Sequence, residues 1–414
     1  MPVKPESYTV LGLGDTGWSC VQHLVRAGHT VTVQDDRFDP PCLQALIASG
    51  LDVPIALGGV RQDWLCDATY TVMSPGLSPQ TAVGRMALAH SNLMLSELDL
   101  FAQAVRVPYV AVTGTNGKST VVTLLGKMLE QAGMRVAIGG NIGRPALSCL
   151  GADIDCVVLE CSSFSLHYTA TFQPKAAAIL NISEDHLVWH GSKDAYQVAK
   201  SKIYAGTDYA LYPSSLPALK QAADQAADVE TFGAEPNAHW RIRDSGEIEH
   251  VGVGYLALPE LSGHMIPEAN YLASCALAHQ FGVLPEHMRQ ALLEFKGLPH
   301  RCEVLGVCAG VIWVNDSKAT NLDATSMAVR RLYTAHPQGV VVLIGGQLKN
   351  ESWDSTIESW AGLDIQCVSF GEGAHRLHTV CLRYGVSCEV AQTLAEAIPM
   401  ARVKAQPHQA ILLS

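Results

Sequence analysis

Val112-Thr113-Gly114-Thr115-Asn116-Gly117-Lys118-Ser119-Thr120 decides the fold. Before it, Tyr109–Thr113 is a short apolar, β-branched run of the kind that forms a buried strand. After it, Ser119–Gln131 has helical spacing and stops at Gly133. A strand, a glycine turn and a helix opening with lysine make a cradle for an anion. Glycines let the backbone turn its N–H groups inward, the helix N-terminus favours negative charge, and Lys118 adds a full positive charge. Ser119 or Thr120 then offers a hydroxyl to magnesium, so Gly114, Thr115, Asn116, Gly117, Lys118, Ser119 and Thr120 are expected to hold ATP phosphates. The usual pattern is Gly-x-x-x-x-Gly-Lys-Ser/Thr, whose first glycine would fall at Val112; this is the shortened form, Gly-x-x-Gly-Lys-Ser.

Working outward, three more apolar runs, Arg135–Ile138, Asp155–Leu159 and Ala176–Leu180, predict strands of a parallel sheet covered on both faces. Glu160 closes one, and Asp185-His186 follow another by a few residues. Ligands of open parallel sheets gather at such strand ends, so a carboxylate and an imidazole there suit a hydrated magnesium. Taken singly, Glu160 could cap a helix and His186 could sit in a surface turn; their shared strand-end position favours the site. Lys200, on a helix near Ala195–Tyr204, has by spacing alone only a solvated-face reading. Asp208–Val251 predicts peripheral strands and a helix, and Ile266–Phe281 a long helix. This second domain is placed at 107–297.

The first domain, 1–106, opens with the strand Tyr8–Leu11, a glycine turn, the helix Trp18–Arg26 closed by Gly28, and the strand Thr30–Gln34. Gly12-Leu13-Gly14-Asp15-Thr16-Gly17, with Asp35 beyond, fits the dinucleotide-binding pattern and leaves a nicotinamide oxidoreductase open as a second reading. Next to an ATP loop, a nucleotide-linked substrate explains the turn better. A strand Tyr70–Met73 ends at Ser74-Pro75-Gly76, and a helix runs from about Ser96 to Ala104. The third domain, 298–414, follows Gly297-Leu298-Pro299-His300, with strands near Val311–Asn315, Gly339–Ile344, Gln366–Phe370 and Ala410–Leu413. Asn315–Asn321 and Gly345–Lys349 follow two of these strands, where their polar residues serve either a cleft or simple caps and turns. The fold class expected is α/β in three domains, Rossmann-like at both ends, with a P-loop-type parallel sheet between.

Composition agrees with an intracellular enzyme. Of 414 residues, 48% are hydrophobic and 16% charged, which leaves little room for long disordered tracts. A formal charge of −11 disfavours nucleic acid and anionic membrane as partners. Twelve cysteines without a Cys-x-x-Cys pair read as reduced thiols, and no apolar run is long enough to span a bilayer. A cytoplasmic location and a monomer are expected.

Together these segments resemble the Mur ligase family of bacterial cell-wall synthesis. The residues are Val112–Thr120, Gly140-Asn-Ile-Gly, Glu160-Cys-Ser-Ser-Phe, Asn181-Ile-Ser-Glu-Asp-His, Gly297-Leu-Pro-His-Arg and Asn315-Asp-Ser-Lys-Ala-Thr-Asn, in order along essentially the whole chain. The resemblance implies an ATP- and Mg2+-dependent amide ligase working through an acyl phosphate. Its substrates would be UDP-N-acetylmuramoyl-L-alanine on the first domain and D-glutamate on the third; a sister ligase of the family or a folylpolyglutamate-type enzyme is the alternative. Motif by motif, Lys118 would contact ATP, Ser119 with Glu160 would hold one magnesium, and His186 with Lys200 the second, with Lys200 carbamylated. Asn270, Arg301 and Asp316 would complete the ATP site. Gly14, Asp15, Thr16, Asp35, Arg37, Gly76, Asn141 and Ser162 would hold the UDP substrate. Lys318, Thr320 and Lys349 would hold D-glutamate. Family members continue past their last strand into Ser-Pro-Ala-Cys-Ala-Ser, whose first serine corresponds to Ser414, so a truncated third domain is expected ahead of the alternative, an acceptor pocket built otherwise.

Overall fold

The computed structural model describes residues 5–251, 253–257, 266–346 and 352–414. The apolar runs and glycine stops of the sequence form three sheets. The first contains β1 (Ser7–Leu11), β2 (Thr30–Asp35), β3 (Ile55–Leu57), β4 (Tyr70–Met73) and β5 (Leu93–Leu95). Its order is β3-β2-β1-β4-β5, parallel throughout. The chain runs outward from β1 and then returns to its other side as β4. That reversal opens a crevice at the carboxyl ends of the two strands. Backbones approach closely there: Gly12 has φ +91°, and a Cβ on it would stand 2.6 Å from Ser74 Cβ.

The second sheet holds β6 (Tyr109–Thr113), β7 (Val136–Gly140), β8 (Cys156–Glu160), β9 (Ala176–Ile179), β10 (Tyr209–Pro213), β11 (Asp228–Phe232), β12 (Trp240–Ile242), β13 (Glu247–His250) and β14 (Val253–Ala257). Its order is β14-β13-β12-β11-β10-β9-β6-β8-β7. β6 lies between β8 and β9, parallel to both, so the strand order reverses at the phosphate loop. One expectation changes here. Tyr209–Pro213 belongs to the body of the sheet, buried at every position, and within the Asp208–Val251 stretch the rim is formed by the antiparallel β12 and β13, with β14 beyond. Its tyrosines hid this because their hydroxyls need partners; Tyr209 finds Glu230 Oε2 at 2.7 Å.

β15 (Glu303–Cys308), β16 (Val311–Asn315), β17 (Val340–Gly345), β18 (Ile365–Phe370), β19 (Ser387–Val390) and β20 (Ala410–Leu413) make the third sheet. The order is β15-β16-β20-β17-β18-β19, with β15 antiparallel to β16 and the rest parallel. β15 was not expected from the sequence, because it is an edge strand that leaves Val304, Leu305 and Val307 exposed.

The first two sheets, with helices Glu268–His279 and Pro285–Glu294, form one compact unit, and Phe295–Ser414 belongs to another. The expected boundary after Arg106 falls in the link between helix Glu97–Ala104 and β6, inside the first unit; the one after Gly297 falls close to the division between units. Asp99 ties the first two sheets together. One of its oxygens accepts the Ser96 backbone N–H and hydroxyl, the other the N–H groups of Ala170 and Thr171. All twelve cysteines are free thiols. Among the described residues no helix is long and apolar enough to cross a membrane.

Candidate active site

The phosphate loop is held from two sides. Thr115 N–H donates to the Asn181 carbonyl at 3.1 Å, Asn116 N–H to Asn181 Oδ1 at 2.8 Å, and Asn181 Nδ2 returns a bond to the Asn116 carbonyl at 3.0 Å. Thr115 Oγ1 accepts Ser183 N–H and bonds the Tyr196 hydroxyl, both at 3.0 Å. Gly117 has φ +85°, and a Cβ there would lie 2.6 Å from Asn270 Oδ1. Any side chain at 117 would therefore collide with Asn270, the asparagine expected in the ATP site. Helix Lys118–Gln131 starts here, and the first N–H groups of any helix lack intrahelical acceptors. Asn181 and Tyr196 were not among the expected site residues. Asn181 follows β9 as Glu160 ends β8, and the same strand-end rule points to it.

Charge concentrates around Gly114. Lys118 Nζ donates to the Gly114 and Thr115 carbonyls, each at 2.8 Å. Lys200 Nζ donates to the same Gly114 carbonyl at 2.8 Å and to Thr113 Oγ1 at 3.2 Å, and stands 4.7 Å above the Tyr196 ring. The solvated-face reading of Lys200 is thus wrong: the side chain is only 2% exposed. Helix Lys193–Ser201 buries Tyr196, Ala199 and Lys200 together, so its inward stripe includes the lysine. Burial pushes the Lys200 amine well below its ordinary pKa, and the charge of Lys118 adds to the shift.

Glu160 faces the helix start. Its Oε2 accepts Ser119 Oγ at 2.7 Å and its Oε1 accepts Asn141 Nδ2 at 2.9 Å. His186 follows buried Asp185, has φ 56°, and donates its N–H to Asp185 Oδ1 at 2.8 Å. Lys118, Ser119, Glu160 and Lys200 are thus gathered around one strand-end crevice, with Asp185 close enough to act on Lys200 electrostatically. The donors are hard oxygens, which suit magnesium rather than a thiophilic ion. Among the described residues no three His, Cys, Asp or Glu side chains form a metal cage. Such a site fits an ion that keeps its waters and leans on phosphate oxygens.

At the first sheet, helix Asp15–Arg26 begins after Gly14, beside β1. Asp35 Oδ2 accepts Leu13 N–H at 2.7 Å; Arg37 donates through Nε and a terminal nitrogen, each at 2.8 Å. Burial opposes the ionised form, and these hydrogen bonds overcome it, holding the carboxyl below its usual range. Both Asp35 oxygens are therefore engaged, and a dinucleotide ribose would have to displace Arg37. Thr16 and Asp15 are used locally: the Thr16 carbonyl accepts Ser19 Oγ at 2.7 Å, and Asp15 Oδ1 accepts Cys42 Sγ at 3.5 Å. Gly76 is exposed after β4, and Ser162 caps helix Ser163–His167 through Ser165 N–H at 3.0 Å.

In the second unit, Asp316 Oδ1 accepts Cys302 N–H at 2.9 Å. Burial pushes its carboxyl up to about 6. Arg301 is half-buried, Lys318 and Thr320 are exposed ahead of helix Leu322–Ala335, and Lys349 lies outside the described residues.

A profile of the Mur ligase MurD-like N-terminal domain matches residues 6–93, and one of the Mur ligase middle domain matches residues 112–267. The UDP-N-acetylmuramoylalanine--D-glutamate ligase of Alcanivorax borkumensis is 34% identical, covering 98% of this chain and 92% of that protein. The ligase of the same name from Acinetobacter baylyi is 35% identical with the same 98% and 92% coverage. MurF from Acinetobacter baumannii shares the fold, with a TM-score of 0.65 and 21% identity over 100% of this chain and 88% of its own. The chain belongs to the Mur ligase family.

Proposed function

We propose that this chain is an ATP-dependent ligase joining D-glutamate to UDP-N-acetylmuramoyl-L-alanine in peptidoglycan precursor synthesis. The observation that carries this reading is the near-full-length likeness to ligases of that name; the phosphate-loop geometry supplies the chemistry. A carboxylate is a poor electrophile. Its oxygen attacks the γ-phosphorus of ATP, ADP leaves, and the resulting acyl phosphate carries a good leaving group. The D-glutamate amine then attacks the carbonyl carbon, gives up a proton, and phosphate departs with the electron pair of the broken C–O bond.

Little covalent work falls to the protein, so positioning and charge dominate. Lys118 exchanges the Gly114 and Thr115 carbonyls for phosphate oxygens. Ser119 and Glu160 are the proposed holders of one magnesium, His186 and Lys200 of a second. Magnesium held by these residues would neutralise charge on the phosphates. Lys200 needs a neutral amine to accept carbon dioxide as a carbamate, and burial beside Lys118 favours that neutral amine. Asn270, Arg301 and Asp316 are assigned to ATP. Gly14, Asp15, Thr16, Asp35, Arg37, Gly76, Asn141 and Ser162 are assigned to the UDP substrate, and Lys318, Thr320 and Lys349 to D-glutamate. The three domains, 1–106, 107–297 and 298–414, would divide these tasks in a cytoplasmic monomer.

An acceptor screen with ATP and magnesium tests this. ADP release should require both UDP-N-acetylmuramoyl-L-alanine and D-glutamate. Turnover with UDP-muramate and L-alanine, or with a folate and glutamate, would instead identify a sister ligase.

A further inference from the structure

The loop that closes β4 is fastened to the turn that carries His186. Ser78 Oγ donates to the Trp189 carbonyl at 2.9 Å, and the Tyr168 hydroxyl donates to the Leu77 carbonyl at 2.7 Å. Gly191, at φ +84°, lies so near the same loop that a Cβ would stand 3.2 Å from Gln80 Nε2. Beneath these bonds Tyr168 and Trp189 pack with Leu11, Met73 and Leu77, at the carboxyl ends of β1 and β4. Trp189 also stacks on Phe164 with centroids 4.6 Å apart, and Phe164 meets the His186 ring edge-on at 4.7 Å. Trp189 N–H donates back to the His186 carbonyl at 3.0 Å.

His186 thus stands at one end of a single turn whose other end is bolted to the first sheet. Within the turn His190 is buried, with its Nε2 3.0 Å from Ser163 Oγ, but the residues next to His186 are not. Leu187 and Val188 are exposed, and His186 occupies a left-handed backbone that a β-carbon disfavours. The Ser78 bond and the Trp189–Phe164 stacking thus act together with the Asp185 carboxylate, 3.6 Å from Nδ1, in fixing the imidazole.

We propose that Ser78 and Trp189 are positioning residues for His186, making the β4 loop and the imidazole one mechanical piece. Occupancy of the sugar-nucleotide loop at Ser74–Gly76 would then be felt directly at the metal site. This rests on the function proposed above, because it takes His186 as a metal ligand.

A double-mutant cycle tests it, reading kcat and the magnesium concentration for half-maximal rate at saturating substrates. Ser78→Ala should lower kcat about fivefold, the worth of one hydrogen bond, and raise the magnesium requirement. Ser78→Thr, which keeps the hydroxyl, should restore both, and Tyr168→Phe should shift both in the direction of Ser78→Ala with the fold intact. In a His186→Gln background, Ser78→Ala should add nothing. A full additional fivefold loss there would mean that Ser78 acts on stability in general and would overturn the proposal. Unchanged kcat and magnesium dependence in Ser78→Ala would overturn it too, while leaving the ligase reading intact. Wild-type turnover in His186→Gln alone would instead strike the metal assignment beneath it.

Discussion

The turn Gly12–Gly17 after β1 and the turn Gly114–Thr120 after β6 solve the same backbone problem. Each follows a buried parallel strand at the point where strand order reverses, and each brings a helix N-terminus to the crevice. Each also uses a glycine where a β-carbon cannot fit, Gly12 against Ser74 and Gly117 against Asn270. Their surroundings differ in charge. After β1, the buried Asp35 carboxylate is neutralised by Arg37 and by Leu13 N–H. After β6, two lysines share the Gly114 carbonyl and a glutamate faces the helix start through Ser119. Under the proposed function, the backbone device would admit a phosphate in either place, and side chains from neighbouring strand ends would decide whether that phosphate is merely held or transferred.

That contrast breaks most sharply at Lys118. Lys118→Ala should lower ATP-dependent turnover about a thousandfold by phosphate release. Calorimetry with the UDP substrate should still give binding within about twofold of wild type, since one distant charge is screened. Loss of both would mean that the two turns do not divide the work. Glu160→Gln keeps an acceptor for Ser119 and removes the charge, so kcat should fall about a hundredfold and partly recover as magnesium is raised. No response to magnesium would remove Glu160 from the metal site.

At the other turn, Asp35→Asn should weaken UDP-substrate binding about tenfold, the worth of a charge-assisted hydrogen bond, and leave the KM for ATP unchanged. A raised KM for ATP with normal UDP-substrate binding would reverse the assignment.

Glu97 joins the two regions and offers the smallest effect on catalysis. It accepts Ser19 Oγ from the first helix at 3.2 Å and Leu147 N–H from the segment after β7 at 2.9 Å. Burial pushes its carboxyl up to about 7 from 4.5. A carboxyl with a raised folded pKa binds its proton more tightly when folded. Its contribution is therefore full below pH 4.5 and lost as pH rises through 7. Glu97→Gln should remove that slope and gain on the wild type by roughly 3 kcal/mol between pH 5 and 8 in denaturant titrations. Parallel pH profiles for the two proteins would show that Glu97 stays ionised.

Much of this was legible in the chain. The phosphate loop, the strands flanking it and the carboxylate at Glu160 follow from apolar runs, glycine stops and the rule that ligands gather at parallel strand ends. Lys200 was not legible by spacing, because a lysine counts as polar in any periodicity. Its place four residues after Tyr196 puts it on the inward stripe, where the helix turns it onto Gly114. β15 escaped because an exposed edge strand carries no alternation of burial. The Ser78–Trp189 contact escaped for another reason: its partners are far apart in sequence, and one of them is a backbone carbonyl.

In the proposed reaction the Gly114–Thr120 loop activates a carboxylate as an acyl phosphate. The most direct test is turnover of UDP-N-acetylmuramoyl-L-alanine labelled with 18O in its terminal carboxylate, in the presence of ATP, magnesium and D-glutamate. One labelled oxygen should appear in the released phosphate for each amide formed. Phosphate free of label, with the amide still forming, would exclude an acyl phosphate.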